Sequence, residues 1–118
     1  MGVGIHGEPG RRREAFKPAS AIVDDLLDAV LGDLRPQRGQ PVLLLINGLG
    51  GTPLLELYLL QHLARQRLER DGLTVQRTLV GNHATSLEMA GASLTVTLLD
   101  DELTALWDAP VHTPALRW

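Results

Sequence analysis

The sequence contains no cysteine in its 118 residues. Disulfide bonds, thiol nucleophiles and thiolate-bound metal sites are therefore excluded, because each of them requires a cysteine sulfur. A chain without cysteine is in keeping with a reducing compartment. We therefore expect a cytoplasmic protein.

Long apolar runs are also missing. No stretch approaches the roughly 20 consecutive apolar residues that a membrane-spanning helix needs. The first residues lack the order of a signal peptide, in which a basic region precedes an apolar one. We expect the protein to remain in the compartment where it is made and not to bind membranes.

A strong charge of one sign is lacking as well. The formal net charge is -3 and the isoelectric point is about 5.7. Because proteins that bind nucleic acid carry a basic surface, this balance predicts no nucleic-acid partner. The basic cluster Arg11-Arg12-Arg13 is short. We interpret it as a solvated loop in preference to a phosphate or nucleic-acid patch.

The composition is that of an ordinary globular domain, with 44% hydrophobic and 21% charged residues. The length suits a single domain over residues 1–118, with a Gly- and Pro-rich loop at 1–19 and an α/β core and tail at 20–118. Apolar spacing predicts a helix that begins at Ser20 and ends near Gly32 to Arg35, and a second from Leu54 to about Arg70.

Strand patterns occur in three places. The apolar run 41–46 suits a strand buried on both faces, and period-two alternation predicts strands at 73–80 and 94–98. Asp100 and Asp101 predict the cap of a last short helix, followed by an extended tail. These elements are too few for a doubly wound fold. We therefore predict a two-layer α/β (α+β) sandwich, in which a mixed β-sheet packs against helices.

A glycine-rich turn, Gly48-Leu49-Gly50-Gly51, follows the first strand. Its position before a helix is one that phosphate-binding loops also occupy. It lacks the Lys-Ser/Thr pair of a P-loop and the full dinucleotide pattern. The preferred interpretation is a tight strand-to-helix turn, with Thr52 as the helix N-cap and Pro53 at the first helical position.

Most of the residues that could carry chemistry have simpler interpretations. His62 lies in the second helix, as a surface or packing residue, and His83 and His112 lie in loops at spacings that match no metal motif. We assign no metal. Ser86 has no paired base nearby in sequence, so a hydrolytic role is not predicted. The acidic run 100–102 is explained by the helix cap.

His6 is the exception. Gly4 and Gly7 beside it allow the backbone to approach a ligand closely, and Glu8 is near enough in sequence to orient the ring. Judged on spacing alone, a turn histidine without chemistry is still the favoured interpretation. The neighbouring residues carry a more specific signal.

Four motifs, in order along the chain, resemble motifs of the dihydroxyacetone (glycerone) kinases. The first surrounds the substrate-binding histidine of that family, the second is a Gly-Thr-Pro turn, and the last is similar to the C-terminal signature. The motifs are Gly4-Ile5-His6-Gly7-Glu8-Pro9-Gly10, Asn47-Gly48-Leu49-Gly50-Gly51-Thr52-Pro53-Leu54, Thr85-Ser86-Leu87-Glu88-Met89-Ala90-Gly91 and Leu106-Trp107-Asp108-Ala109-Pro110-Val111-His112-Thr113-Pro114-Ala115. The chain is similar to the C-terminal part of the family's substrate-binding region. The resemblance implies the second of two domains, with a six-stranded mixed sheet.

The resemblance implies a covalent role for His6. A ring nitrogen adds to the ketone of dihydroxyacetone and forms a hemiaminal, with Gly7 also in the substrate site, and a substrate hydroxyl is then phosphorylated. The addition requires a neutral imidazole, which histidine supplies near pH 7 because its ordinary pKa is about 6.5. Glycerol has no carbonyl, so the same chemistry selects the ketone.

The resemblance also implies several partners. The missing N-terminal substrate domain carries the aspartate expected to act as base. A separate kinase domain or subunit holds the nucleotide, either ATP or a tightly bound ADP that the phosphotransferase system rephosphorylates, with Mg. This domain itself is expected to bind no cofactor, to form a homodimer and to be inactive alone.

The sequence departs from the family at a few positions. It has His83 and Ala92 where relatives tend to carry aromatic residues, and its connection between Gly32 and Pro41 is shorter. The alternative to a kinase fragment is a non-catalytic binding or interaction module that retains the fold. Lipid binding, known for distant relatives of the fold, is less favoured because the heptapeptide around His6 is kept.

Overall fold

The computed structural model describes residues 1–4, 8–84 and 86–118. Three helices and three strands follow one another in the predicted order. They are α1 (Ala19–Leu34), β1 (Pro41–Gly48), α2 (Leu54–Arg70), β2 (Thr74–Gly81), β3 (Ala92–Leu98) and α3 (Asp101–Asp108). None of the helices within these ranges is long and apolar enough to cross a membrane.

The three strands form one mixed sheet in the order β2-β1-β3. β1 pairs in parallel with β2 and antiparallel with β3, so the run 41–46 lies at the centre as a strand buried on both faces should. The mixed α/β architecture is therefore confirmed. The family resemblance implied six strands. That expectation was wrong for the described residues, which form a sheet of three strands.

The main core lies between this sheet and helices α1 and α2. Val42, Leu44 and Ile46 point from β1 toward the helices and are at most 1% exposed. Val23 and Leu27 of α1 are equally buried there. Each such side chain stabilises the fold by about 1.5–3 kcal/mol relative to an exposed one. This packing makes α1 and the end of β1 fixed supports for the loops attached to them.

Arg67 joins the two core helices. Its guanidinium donates to Asp28 at 2.6 Å and Asp24 at 2.8 Å on α1, and to Asp71 at 2.8 Å just after α2. These carboxylates, with Asp28 the largest contributor, raise the pKa of Arg67 above its ordinary value. The helices therefore share a charged contact at their edge in addition to the apolar core.

The last helix covers the start of the sheet's other face. Asp100 caps α3 as predicted, because its carboxylate accepts a hydrogen bond from the Leu103 amide at 2.7 Å. The groove beneath α3 is lined by Leu43, Thr97, Leu99, Leu103, Leu106 and Trp107. α3 thus lies over the beginning of the second face of β1, across this groove.

Two local predictions were wrong. Thr52 does not cap α2: its hydroxyl donates to the Gly91 carbonyl at 2.8 Å, and Pro53 occupies the cap position. The tail is not simply extended, since Val111 and Trp118 exchange backbone hydrogen bonds of 3.3 and 3.2 Å. The Trp118 ring stacks on Trp107, with centroids 5.1 Å apart. In both cases a hydrogen bond to a residue outside the local turn or cap determines the structure.

Candidate functional site

His6 and Gly7, the predicted substrate-site residues, lie outside the described residues, as does the predicted contact of Glu8 with the His6 ring. The residues on either side of them are hydrogen-bonded to each other. The Gly4 amide donates to the Glu8 carbonyl at 3.4 Å, and the Arg11 amide donates to the Met1 carbonyl at 2.8 Å. The two described arms of this segment, residues 1–4 and 8–12, therefore run side by side.

Gly10 allows the arms to come this close. A Cβ atom added at Gly10 would lie 2.8 Å from the Met1 carbonyl oxygen, a backbone atom that has little freedom to move. The residue at this point of the heptapeptide must therefore be glycine for the pairing to persist.

Four charged side chains attach this segment to α1. Asp25 of α1 accepts from Arg12, at 3.0 Å, and from Lys17. Glu14 also pairs with both Arg12 and Lys17. The Lys17 ammonium is the main cause that lowers the pKa values of Asp25 and Glu14 below their ordinary values. Arg12 of the basic cluster is therefore engaged within the chain.

A second group of loops lies at the carboxyl end of β1, a common location for ligands in sheets with parallel strands. Asn47 organises it and is 4% exposed. Its side-chain oxygen accepts from the amides of His83 and Ala84 at 2.8 and 2.9 Å, and its amide group donates to the Ala84 carbonyl at 2.8 Å. The apolar pattern of β1 gave no reason to single out Asn47; the available signal was a polar side chain ending a run of buried residues.

The glycine-rich turn is a tight strand-to-helix turn, as preferred above. The Leu49 amide donates to the Gly91 carbonyl at 3.1 Å and the Gly51 amide to the Met89 carbonyl at 3.0 Å. The Gly50 amide donates to the Asn82 side chain at 3.3 Å. These three amides are therefore already bonded within the chain.

The remaining candidates are dispersed. His62, His83 and His112 are all exposed, which confirms the surface interpretation of His62. Over the ranges 1–4, 8–84 and 86–118, no group of three histidine or acidic side chains is placed to hold a metal ion. Ser86 is half-buried and has a partner within the chain.

Known proteins with similar sequences include a kinase subunit and a kinase. The chain is 42% identical to the dihydroxyacetone-binding subunit DhaK of the PEP-dependent dihydroxyacetone kinase of Escherichia coli, over all of this chain and 40% of that protein. It is 45% identical to the L-erythrulose 1-kinase of Mycolicibacterium smegmatis, over 99% of this chain and 21% of the kinase. The chain therefore spans two fifths or less of the length of these relatives.

Solved structures repeat the fold. A dihydroxyacetone kinase operon co-activator, Dha-DhaQ, superimposes with a TM-score of 0.86 at 37% identity, over 92% of this chain and 34% of that one. The dihydroxyacetone kinase of C. freundii, in complex with AMP-PNP and Mg2+, has a TM-score of 0.68 at 29% identity, over 88% of this chain and 19% of that one. These matches confirm the α/β fold class and the kinship with dihydroxyacetone kinases.

The match to a family extends over almost the whole sequence. Residues 1–115 match the Dak1 domain, and this range includes all four motifs. The chain therefore belongs to the Dak1 domain family, which confirms the resemblance found in the sequence.

Proposed function

We propose that this chain is the part of a dihydroxyacetone kinase that holds the substrate through a covalent bond to His6. The observation that carries the proposal is the heptapeptide 4–10, which lies within a Dak1 domain match that starts at residue 1. The names of the relatives support the substrate class, since one is a dihydroxyacetone-binding subunit and another an erythrulose kinase, and both substrates are small hydroxyketones.

The proposed bond is a simple addition. A neutral imidazole nitrogen of His6 donates its lone pair to the ketone carbon, the carbonyl electron pair moves to oxygen, and the imidazole proton is lost as the oxygen gains one. Atoms and charge balance without an oxidant. The tetrahedral adduct holds the substrate in one orientation, so that a terminal hydroxyl can be positioned for phosphoryl transfer.

The proposal assigns the remaining steps to other polypeptide. The chain spans two fifths or less of the relatives above, so the first substrate domain and the domain that carries nucleotide and Mg are proposed partners. The AMP-PNP and Mg2+ in a related kinase support a nucleotide donor outside this domain. We expect no turnover of dihydroxyacetone and ATP by the chain alone. A cytoplasmic location and a homodimer also remain parts of the proposal.

The adduct is the direct test. The chain is mixed with, or fused to, the preceding domain of the Escherichia coli relative and given dihydroxyacetone labelled with carbon-13 at the ketone. We expect the labelled carbon signal to move from the carbonyl range to the tetrahedral range, and native mass spectrometry to show one bound substrate. Glycerol should give neither change.

His6→Ala should abolish the adduct, and His62→Ala is the matched control because that histidine is exposed on α2. Unchanged melting temperatures would show that both variants fold. An adduct of equal yield in the His6→Ala protein would assign the bond to another group and refute the proposal.

A non-catalytic binding module is the second candidate. One observation favours it: the superposition on the operon co-activator has a higher TM-score, 0.86, than that on the kinase, 0.68. The two candidates differ in a measurable way. A binding module would form no phosphorylated product after reconstitution with both missing kinase parts, whereas the kinase fragment would.

A further inference from the structure

The described residues that follow His6 in this segment, 8–16, gain little from apolar packing. Residues 8–16 are all exposed and form neither helix nor strand. Phe16, the largest apolar side chain there, is fully exposed, and Val3 in the other described arm is 55% exposed. Because apolar burial is the main stabilising force in folded proteins, another interaction must keep this segment on the body of the domain.

The charged contacts with α1 can supply that interaction. Asp25 receives both Arg12 and Lys17 on the same carboxylate oxygen, and Glu14 links these two cations to each other. A network of this kind is more effective than isolated pairs, because several cations and anions share one arrangement. Within the described residues, this network meets α1 at Asp25.

Asp25 itself is firmly placed. Val23 and Leu27, two residues away on either side, are 1% and 0% exposed and belong to the core. The carboxylate therefore extends from a helix turn whose backbone is fixed by packing. At the other end of the network, the Arg12 carbonyl accepts from the Met1 nitrogen at 2.9 Å, and the neighbouring Arg11 amide bonds to Met1. Contact with Arg12 thus reaches both arms around the heptapeptide.

We infer that Asp25 is a positioning residue, which holds the segment around His6 on helix α1 through Arg12 and Lys17. The inference deepens the proposed function, because it rests on His6 as the group that meets the ketone. A reacting group that is displaced even slightly from the position it needs for bond formation reacts much more slowly. Loss of the Asp25 contacts should therefore weaken adduct formation without removing the nucleophile.

The test compares two neighbouring aspartates of α1. Asp25→Asn removes the charge that binds the segment, whereas Asp28→Asn removes one that faces Arg67 on α2. Amide hydrogen exchange of the 118-residue chain reports how readily the hydrogen bonds of the segment open. We expect exchange at the Arg11 amide, which is bonded to the Met1 carbonyl, to become about three- to tenfold faster in Asp25→Asn, the scale of an exposed ion-pair network, and to stay unchanged in Asp28→Asn.

Two further measurements separate positioning from a general loss of stability. Asp25→Glu should restore slow exchange, and about 0.5 M salt should speed exchange in the natural chain but hardly in Asp25→Asn, because salt screens exposed charges. In the reconstituted protein, Asp25→Asn should reduce adduct yield at limiting ketone about three- to tenfold.

The outcomes distinguish this inference from the proposed function. Equal exchange in Asp25→Asn and Asp28→Asn would overturn the positioning role, whatever the adduct experiment gives. Faster exchange in Asp25→Asn with an unchanged adduct yield would also overturn it. Absence of an adduct in the natural protein would refute the proposed function, while the exchange data would still decide whether Asp25 attaches the segment.

Discussion

Asn47 and Ala84 exchange two hydrogen bonds across 37 residues of sequence. The Ala84 amide donates to the Asn47 side-chain oxygen at 2.9 Å, and the Asn47 amide group donates back to the Ala84 carbonyl at 2.8 Å. The asparagine is buried, so both of its polar groups depend on these partners. The end of the central strand and the loop after β2 are thus held together by one side chain.

Asn47→Ala should destabilise the domain. It leaves the amides of His83 and Ala84 and the Ala84 carbonyl without their side-chain partner, at a cost of about 1–3 kcal/mol. Asn82→Ala is the control, because Asn82 is exposed and makes one bond of 3.3 Å to the Gly50 amide. Urea denaturation should show the larger loss for Asn47→Ala. Equal losses for the two variants would contradict the role assigned to Asn47.

The sequence was sufficient for features that depend on local periodicity. The run 41–46 and the spacing of apolar residues in 54–70 each predict an element whose bounds the structure repeats within about two residues. Asn47 could not be found in this way, because its partners lie more than 35 residues further along the chain. The prediction that Thr52 caps α2 was wrong for the same reason, since its hydroxyl bonds to Gly91, which is distant in sequence.

The family resemblance supplied what periodicity could not. It pointed to His6 and to the family, and the Dak1 match confirms the family. It overestimated the number of strands, since the described residues of this chain form a sheet of three. The attachment of the His6 segment through Asp25 required the structure, since Arg12 and Asp25 are 13 residues apart and in different elements.

Gly51→Ala and Gly32→Ala should have opposite effects on stability. A Cβ at Gly51 would lie 2.9 Å from both the Ala90 nitrogen and the Glu88 oxygen, so the backbone of the turn would have to move. A Cβ at Gly32, inside α1, meets nothing within 4 Å. Thermal unfolding should show a loss for Gly51→Ala of about 1–3 kcal/mol, as for overpacking, and a gain for Gly32→Ala of about 0.5–1 kcal/mol. A tolerated alanine at Gly51 would contradict the close approach of the two loops.

Acid should act on the His6 segment in two separate steps. The pKa of Asp25 is lowered in the folded chain, mainly by Lys17, so its contribution is fully present above the usual value of 3.8 and is lost as the pH falls through the lowered value. The proposed ketone adduct should decline at a higher pH, because the ordinary pKa of histidine is about 6.5. The pH dependence of the Asp25 carboxyl carbon can be measured by NMR, and that of the adduct yield in parallel. The two midpoints should lie more than about two pH units apart, as these ordinary values imply. A common midpoint would mean that loosening of the segment, and not imidazole protonation, controls the adduct.

Self-association should depend on the first half of α2. Its outward face carries a row of exposed apolar side chains, Leu54, Leu55, Tyr58 and Leu59, before the exposed face becomes charged. Contiguous apolar surface of this kind marks interfaces, so we expect the chain to associate. Leu55→Lys combined with Leu59→Lys should weaken association about tenfold or more, because each change removes an apolar contact and places a charge in the interface, and loss of a central interface side chain can cost over about 1 kcal/mol.

Gln66→Lys is the matched control, since it adds a lysine to the exposed side of the same helix outside the apolar row. Lysine and leucine have similar helix propensities, so α2 should persist in all variants. Sedimentation velocity over a range of concentrations measures the outcome. A natural chain that sediments as a monomer throughout would contradict the prediction, and association that survives the double change would place the contact on another surface, such as the groove beneath α3 between Leu103 and Leu106.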